Sequence, residues 1–463
     1  MGAFIVGALV SVVSASLLFR HLGKIATGEY ILALSLVSIV GALSDLGLTA
    51  VGVRELSARP PHERWSLASD LLGLRITLTL AGSVVMVAIA SIVYTPTLAA
   101  GVALACGGLL LQATQDNFAL PLVIGLRLGI VSALELSRQV LTTLLTILLV
   151  LAGATLLPFL GMSIPVGIVA LIATVALVRG KRRLAPAFSW RRWGRFVKPM
   201  LPYSAAVAAS SLYLRVSIVL VSLLASAVEL GYFSASYRII EVLTTVPALL
   251  AGSALPIFAH AAVNDHERLG YGLGRVFEVA LIVGAWVSVS VAVGAPLAIA
   301  IVGGAKFKAA APVLAVQGIG LGAMFVSLVW ANGLLSLRLY NRILVLSLAG
   351  LVFTSALVVP LVLIDGAQGA AIGTSIGEIA LAVSQCIAVI HRRPALRPSL
   401  RIVPGVMLAV VLGLTPLLLT SIPVIVRLVI STAIFAAVLL VTRAYPPELI
   451  DLLPGVGARL VRR

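Results

Sequence analysis

Charge is scarce in this chain. Lysine, arginine, aspartate and glutamate make up 11% of its 463 residues and only 16 residues are acidic, whereas 61% are hydrophobic and the mean hydropathy is +1.16. A chain with so little polar material cannot clothe a water-soluble globule in a hydrated skin. Cysteine is scarcer still. Cys106 and Cys386 sit in separate apolar stretches, which excludes a disulfide framework or a cysteine metal knot. The five histidines, His21, His62, His260, His266 and His391, fall in gaps or at the ends of apolar stretches without an H-E-x-x-H pattern, so no metal is expected. No G-x-x-x-x-G-K-[ST] loop exists, since Gly303-Gly304-Ala305-Lys306 lacks the spacing, and no gap is long enough for a nucleotide domain; no cofactor is expected. Paired acids in a large outer loop are also lacking, which argues against a membrane glycosyltransferase or polysaccharide polymerase, and the chain reads as a non-enzyme.

What is present is apolar length. About 20 apolar residues cross the hydrocarbon as a helix, and only a helix closes its own backbone hydrogen bonds there. Fourteen stretches qualify, near 2–19, 30–53, 71–93, 98–122, 138–157, 160–178, 200–225, 232–257, 276–301, 312–335, 343–364, 367–390, 402–420 and 424–442. The sequence therefore predicts an all-α polytopic membrane protein. Six helices (1–180) and six more (200–392) flank a basic linker (181–199), and an extra pair (402–442) precedes a tail (443–463). An even number of helices per copy gives parallel repeats about an axis along the membrane normal, with a cleft between two lobes.

The 33 lysines and arginines fall mainly in alternate gaps. One set holds Arg54, Arg59, Arg64, Arg127, Arg138, the acid-free 179–198 cluster, Arg268, Arg275, Arg338 and Arg342, whereas the other holds Arg20, Lys24, Lys306 and Lys308. The positive-inside rule then puts both termini in the cytoplasm of a cell whose inner membrane the chain spans. The net charge of +17 is explained by headgroups and topology, with membrane lipids as partners and no nucleic acid.

A short repeat supports the two-copy reading. Gly28-Glu29-Tyr30 and Gly231-Tyr232-Phe233 each open a helix, with the glycines 203 residues apart. Together with Arg20-His21-Leu22-Gly23, Asp45-Leu46-Gly47-Leu48, Arg54-Glu55, Arg59, Tyr237-Arg238 and Leu255-Pro256, these segments resemble the Wzx-type polysaccharide and oligosaccharide-lipid flippases of the multidrug/oligosaccharidyl-lipid/polysaccharide (MOP) superfamily. Two departures are Lys24-Ile25, where such proteins often carry Pro-Glu, and Arg215-Val216-Ser217, where Arg-x-Asp is often met. The resemblance implies export of a polyprenyl-phosphate-linked glycan by alternating access. Its implied partners are that substrate and the glycosyltransferases and polymerase of a polysaccharide pathway. A drug or cation antiporter of the same superfamily is the alternative.

Phosphate calls for fixed positive charge, and a central intramembrane arginine usually faces a cavity or partner. Arg215 is the leading cleft candidate, followed by Arg238, Arg20, Gln112, Asp116 and Glu378. Glu241 lies three residues after Arg238, spaced for a local ion pair. Asp45, close to Arg54 and Glu55, reads as a cap or an Arg54 partner with a gating or structural role, and Arg75 and Arg427 read as snorkelling side chains.

Overall fold

The computed structural model describes residues 2–58, 60–178, 185–245, 247–248, 258, 266–419 and 421–446. Arg59, Leu255-Pro256, His260 and the 447–463 tail lie outside them. Among the described residues every regular element is helical. In chain order they are α1 (Gly2–Asp45), α2 (Leu48–Ala58), α3 (Pro61–Val93), α4 (Pro96–Ile124), α5 (Leu128–Leu151), α6 (Leu156–Gly161), α7 (Ser163–Val178), α8 (Trp190–Leu224), α9 (Ala227–Leu243), α10 (His266–Val302), α11 (Ala310–Ser336), α12 (Tyr340–Arg392), α13 (Val403–Gly413) and α14 (Val424–Val441).

Ten helices among the described residues are long and apolar enough to cross a membrane, and Val403–Leu418 is a shorter apolar helix. Two of the ten contain non-helical residues. At about 1.5 Å per residue, 53 residues of α12 would run to about 80 Å against a core of about 30 Å. The chain turns back at Asp365 and Gly366, the latter at φ 49, a region that costs glycine little. In α1 the break is Gly23, at φ 74. The first limb runs alongside α5, with Ser14 Oγ 3.3 Å from Thr146 Oγ1 and His21 Nε2 2.8 Å from the Ala154 carbonyl. The second limb returns toward the opposite end, where the Leu46 carbonyl accepts from Ser204 Oγ.

The sequence boundaries needed correction at these places. The second stretch, expected over 30–53, ends at Asp45, because Leu46 and Gly47 (φ 43 and 70) break the helix before α2. The third helix begins ten residues earlier than expected, at Pro61, where proline suits the first helical position. The linker expected over 181–199 is helical from Trp190 onward, continuous with α8.

The chain divides into two compact units. The first comprises Met1–Ala235 and Val302–Lys306. At one end of it Leu48, Leu56, Leu67, Leu71, Leu74 and Leu120 close around Trp193, which is 4% exposed. Ahead of α8, the Ala187 amide donates to the Ser69 carbonyl at 3.0 Å, and Arg192 Nη1 lies 3.1 Å from buried Asp70.

The second unit comprises Ser236–Ile301 and Phe307–Arg463. Here α13 and α14 pack on α10 through Val289, Val293, Val406 and Phe435. The two limbs of α12 meet along Gly369, Gly373 and Gly377, which face Leu361, Val358 and Thr354 in reverse order, as an antiparallel hairpin requires. A Cβ at Gly369 would overlap the Leu361 carbonyl. Gly369→Val is therefore expected to lower unfolding stability in detergent by about 1–3 kcal/mol, since overpacked backbone cannot yield as a side chain can. A melting curve identical to the parent's would show the limbs to be looser than this.

Candidate functional site: an intramembrane charge cluster

The first unit buries a charged knot inside its apolar spans. The second limb of α1 ends at Asp45, and the Leu46-Gly47 turn sets Thr49 on α2 so that its Oγ1 donates to Asp45 Oδ1 at 2.6 Å. From α3, Arg75 reaches the same group. Its Nη2 lies 3.1 Å from Asp45 Oδ1 and 3.3 Å from Asp116 Oδ2 of α4, and its Nη1 donates to Thr49 Oγ1 at 2.9 Å. Both carboxylates thus converge on one nitrogen. Arg75 is 8% exposed, whereas the side chain of Asp116 is 42% exposed.

Two carboxylates share one guanidinium, leaving one formal negative charge in excess. At a few ångströms in a medium of low dielectric, each Arg–Asp attraction offsets part of the several kcal/mol needed to strip an ion of water. On α5, Arg138 forms a two-point pair with Glu135 at 2.8 and 3.2 Å, and both act electrostatically on Asp116. The knot joins the ends of α1 and α2 to the interiors of α3 and α4.

Arg75 therefore does not snorkel, and Asp45 pairs with it; the Arg54 side chain lies outside the described residues. Arg75 was missed because the span was expected to begin at 71. The helix starts at Pro61 and its apolar span at Arg64, so Arg75 lies 11 residues, or about 17 Å, inside. An arginine fourteen residues past the proline that starts its helix, with lone acids in two neighbouring apolar stretches, is the signal that could have found it.

At the opposite end of this unit the recurring motif closes on itself. Gly28 of α1 packs on Gly231 of α9, so that a Cβ at Gly28 would lie 3.0 Å from the Gly231 amide nitrogen, and one at Gly231 would overlap the Lys24 carbonyl. Lys24 Nζ donates to the Tyr232 hydroxyl at 2.8 Å. Near the C-terminal end of α8, Ser222 Oγ lies 3.0 Å from the Tyr94 hydroxyl. Burial pushes the Tyr94 phenol above its ordinary range, with the Ser222 bond opposing.

The remaining candidates are dispersed. Arg215, on α8, is half-buried and engaged by neighbouring groups. Arg20 is exposed beside Gly304, at the end of α1's first limb, away from the Asp45 knot. Gln112 is half-buried one turn before Asp116 on α4, and Glu55 is half-buried and engaged on α2. In the second unit Arg238 Nη1 pairs with Glu241 Oε2 at 2.6 Å, the local pair their spacing predicts. Glu378 is half-buried on the second limb of α12 and engaged.

All-helical among the described residues, with long apolar spans that hold charge in their interior, the chain shares the fold of solved transporters of the MOP superfamily. It is similar over 94% of its length, at 14% identity and TM-score 0.74, to a lipid II flippase, MurJ, in an inward closed conformation, covering 96% of that chain. An inward-facing multidrug resistance transporter of the MATE family matches 84% of the chain and 95% of its own at 15% identity and TM-score 0.64. A MOP superfamily transporter from Pyrococcus furiosus, described as having a binding pocket of reversed polarity, matches 86% of the chain and 95% of its own at 16% identity and TM-score 0.59. None of the curated proteins compared matches. The chain belongs to the polysaccharide biosynthesis protein family, whose model matches residues 17–312.

Proposed function

We propose that this protein is a Wzx-type flippase that carries a polyprenyl-phosphate-linked oligosaccharide, or a related glycolipid, from the cytoplasmic to the outer leaflet of the inner membrane. The observation that carries the reading is the conjunction of a polysaccharide-biosynthesis family with a transporter fold. Glycan hydroxyls and phosphates cost several kcal/mol each to take through hydrocarbon dry, so a path lined with polar groups, alternately open to each side, is what such a pathway needs. The tail stays in lipid and no bond is made or broken.

In this reading 1–180 and 200–392 are the two lobes, both termini are cytoplasmic, and the glycosyltransferases and polymerase of the pathway act before and after transfer. Arg215 meets the phosphate, aided by Arg20, Arg238, Gln112, Asp116 and Glu378, while Asp45, Arg54, Glu55 and Glu241 hold or gate the path. An anionic headgroup moving outward gains about 2.3 kcal/mol per charge per 100 mV, which can drive net export.

The test is reconstitution of the full chain into vesicles holding a fluorescent polyprenyl-diphosphate-N-acetylglucosamine. Transfer between leaflets at least tenfold faster than in empty vesicles supports the reading. No acceleration, with ethidium efflux instead, makes the protein a drug antiporter.

A further inference from the structure

We propose that α3 holds a file of internal water where it faces α1 and α4, about one molecule for each helical turn, and that the file ends on the guanidinium of Arg75. It is a binding site separate from the ion pairs of Arg75 with Asp45 and Asp116, and its ligand is a small neutral molecule that both donates and accepts hydrogen bonds.

Arg75, Thr79 and Ser83 recur every fourth residue, so they line one side of α3. Arg75 Nε, Thr79 Oγ1 and Ser83 Oγ are all buried without a hydrogen-bond partner among the described residues, and the three residues are 8%, 0% and 9% exposed. Neighbouring helical hydroxyls behave otherwise. Ser35, Ser38, Thr77 and Thr114 each donate to the carbonyl one turn back at 2.7 or 2.8 Å. Thr79 and Ser83 are thus turned away from their own backbone, and the group beside Ser83 is the thiol of Cys106 on α4, a weak hydrogen-bonding partner.

Spacing, room and charge together select water. Four residues of helix rise about 6 Å, close to two ordinary hydrogen-bond lengths end to end, so one water bridges Thr79 to Ser83. The antiparallel register of Asp45 against Arg75 and Val40 against Gly82 sets Gly41 and Ala42 of α1 at the level of Thr79, where they bring little side chain to fill the gap. Ions of either sign are disfavoured. A cation would face the guanidinium at the end of the file, and an anion would face two carboxylates that exceed it by one formal charge. Buried water makes about three hydrogen bonds to polar groups that otherwise lack them, and each of these three groups would be costly to bury dry.

The experiment follows thermal unfolding of the full chain in detergent. A hydroxyl buried dry is better removed, since its unmade bond goes with it, whereas a hydroxyl that holds water is costly to lose, so the two cases differ in sign. Thr79→Val and Ser83→Ala are each expected to lower the melting midpoint by about 2–4 °C. Combined, they are expected to lower it by less than the sum, because both hydroxyls hold one shared water. A raised or unchanged midpoint, or strictly additive losses, overturns the proposal. If the variants do not elute as a single folded species, X-ray radiolysis of the parent decides, because it makes hydroxyl radicals from any water held beside a buried side chain. Cys106, 4% exposed, is then expected to be oxidised as fast as the half-buried Cys386, and a rate about tenfold slower overturns the file. No glycan enters either measurement, so failure here leaves the carrier reading standing and failure of the vesicle assay leaves the water file standing.

Discussion

Replacing Arg75 by alanine is expected to destabilise the protein by about 3 kcal/mol, because it leaves two carboxylates without their shared cation inside the apolar spans. The figure is at the lower end for a broken buried pair, since the side chains of Asp45 and Asp116 are 27% and 42% exposed and water screens part of the loss. Unfolding in detergent, followed by loss of the monodisperse peak on heating, measures it. The cause is separable from a packing defect. Asp45→Asn combined with Arg75→Ala removes one of the two stranded charges and is expected to regain more than half of the loss, whereas a void left by the arginine's methylenes would not be refilled. If Arg75→Ala melts with the parent, the knot does not hold these helices together.

The second large effect belongs to Arg215. An arginine near the middle of a spanning helix costs about 2.5–3.5 kcal/mol on insertion scales, so it is retained for something that needs a fixed cation. In the flippase reading that is the phosphate of the carrier lipid. Arg215→Ala is expected to reduce glycan export at least tenfold in cells lacking the native protein, with its abundance in membranes unchanged. Arg215→Lys is expected to recover part of the export, because lysine keeps the charge but not the planar fork that matches phosphate oxygens. Export at the parent level with Arg215→Ala would take this residue out of the mechanism.

The helical architecture was legible because the hydrocarbon core imposes it. Length and apolarity are one-dimensional properties, and the reversal at Asp365-Gly366 falls between the stretches read as 343–364 and 367–390. Ends were harder to read. Thr49 and Leu48 are as suited to continuing a helix as to starting a new one, so the break at Leu46-Gly47 depended on a left-handed backbone pair that composition does not announce. The local pair of Arg238 and Glu241 followed from spacing alone, whereas Asp45, Arg75 and Asp116 are brought together from three helices, and a single sequence carries no record of which helices are neighbours. Arg75 was also ambiguous in kind, because a long side chain near a presumed helix end snorkels and the same side chain deeper in the span is trapped. The repeated glycine was visible as a pattern, but contact between its two copies is a property of the folded chain.

The 35 residues of α8, with Pro199 and Pro202 in the first half, make about 52 Å of helix, joined to the α3 segment near both extremities: Arg192 to Asp70 near one, Ser222 to Tyr94 near the other. Two struts fastened at two points make a truss, and neither can tilt while both joints hold. Releasing either joint converts the helix into a lever whose fulcrum is the joint that remains: freed at Arg192 it would swing that end about Ser222, and freed at Ser222 it would swing the other end about Arg192.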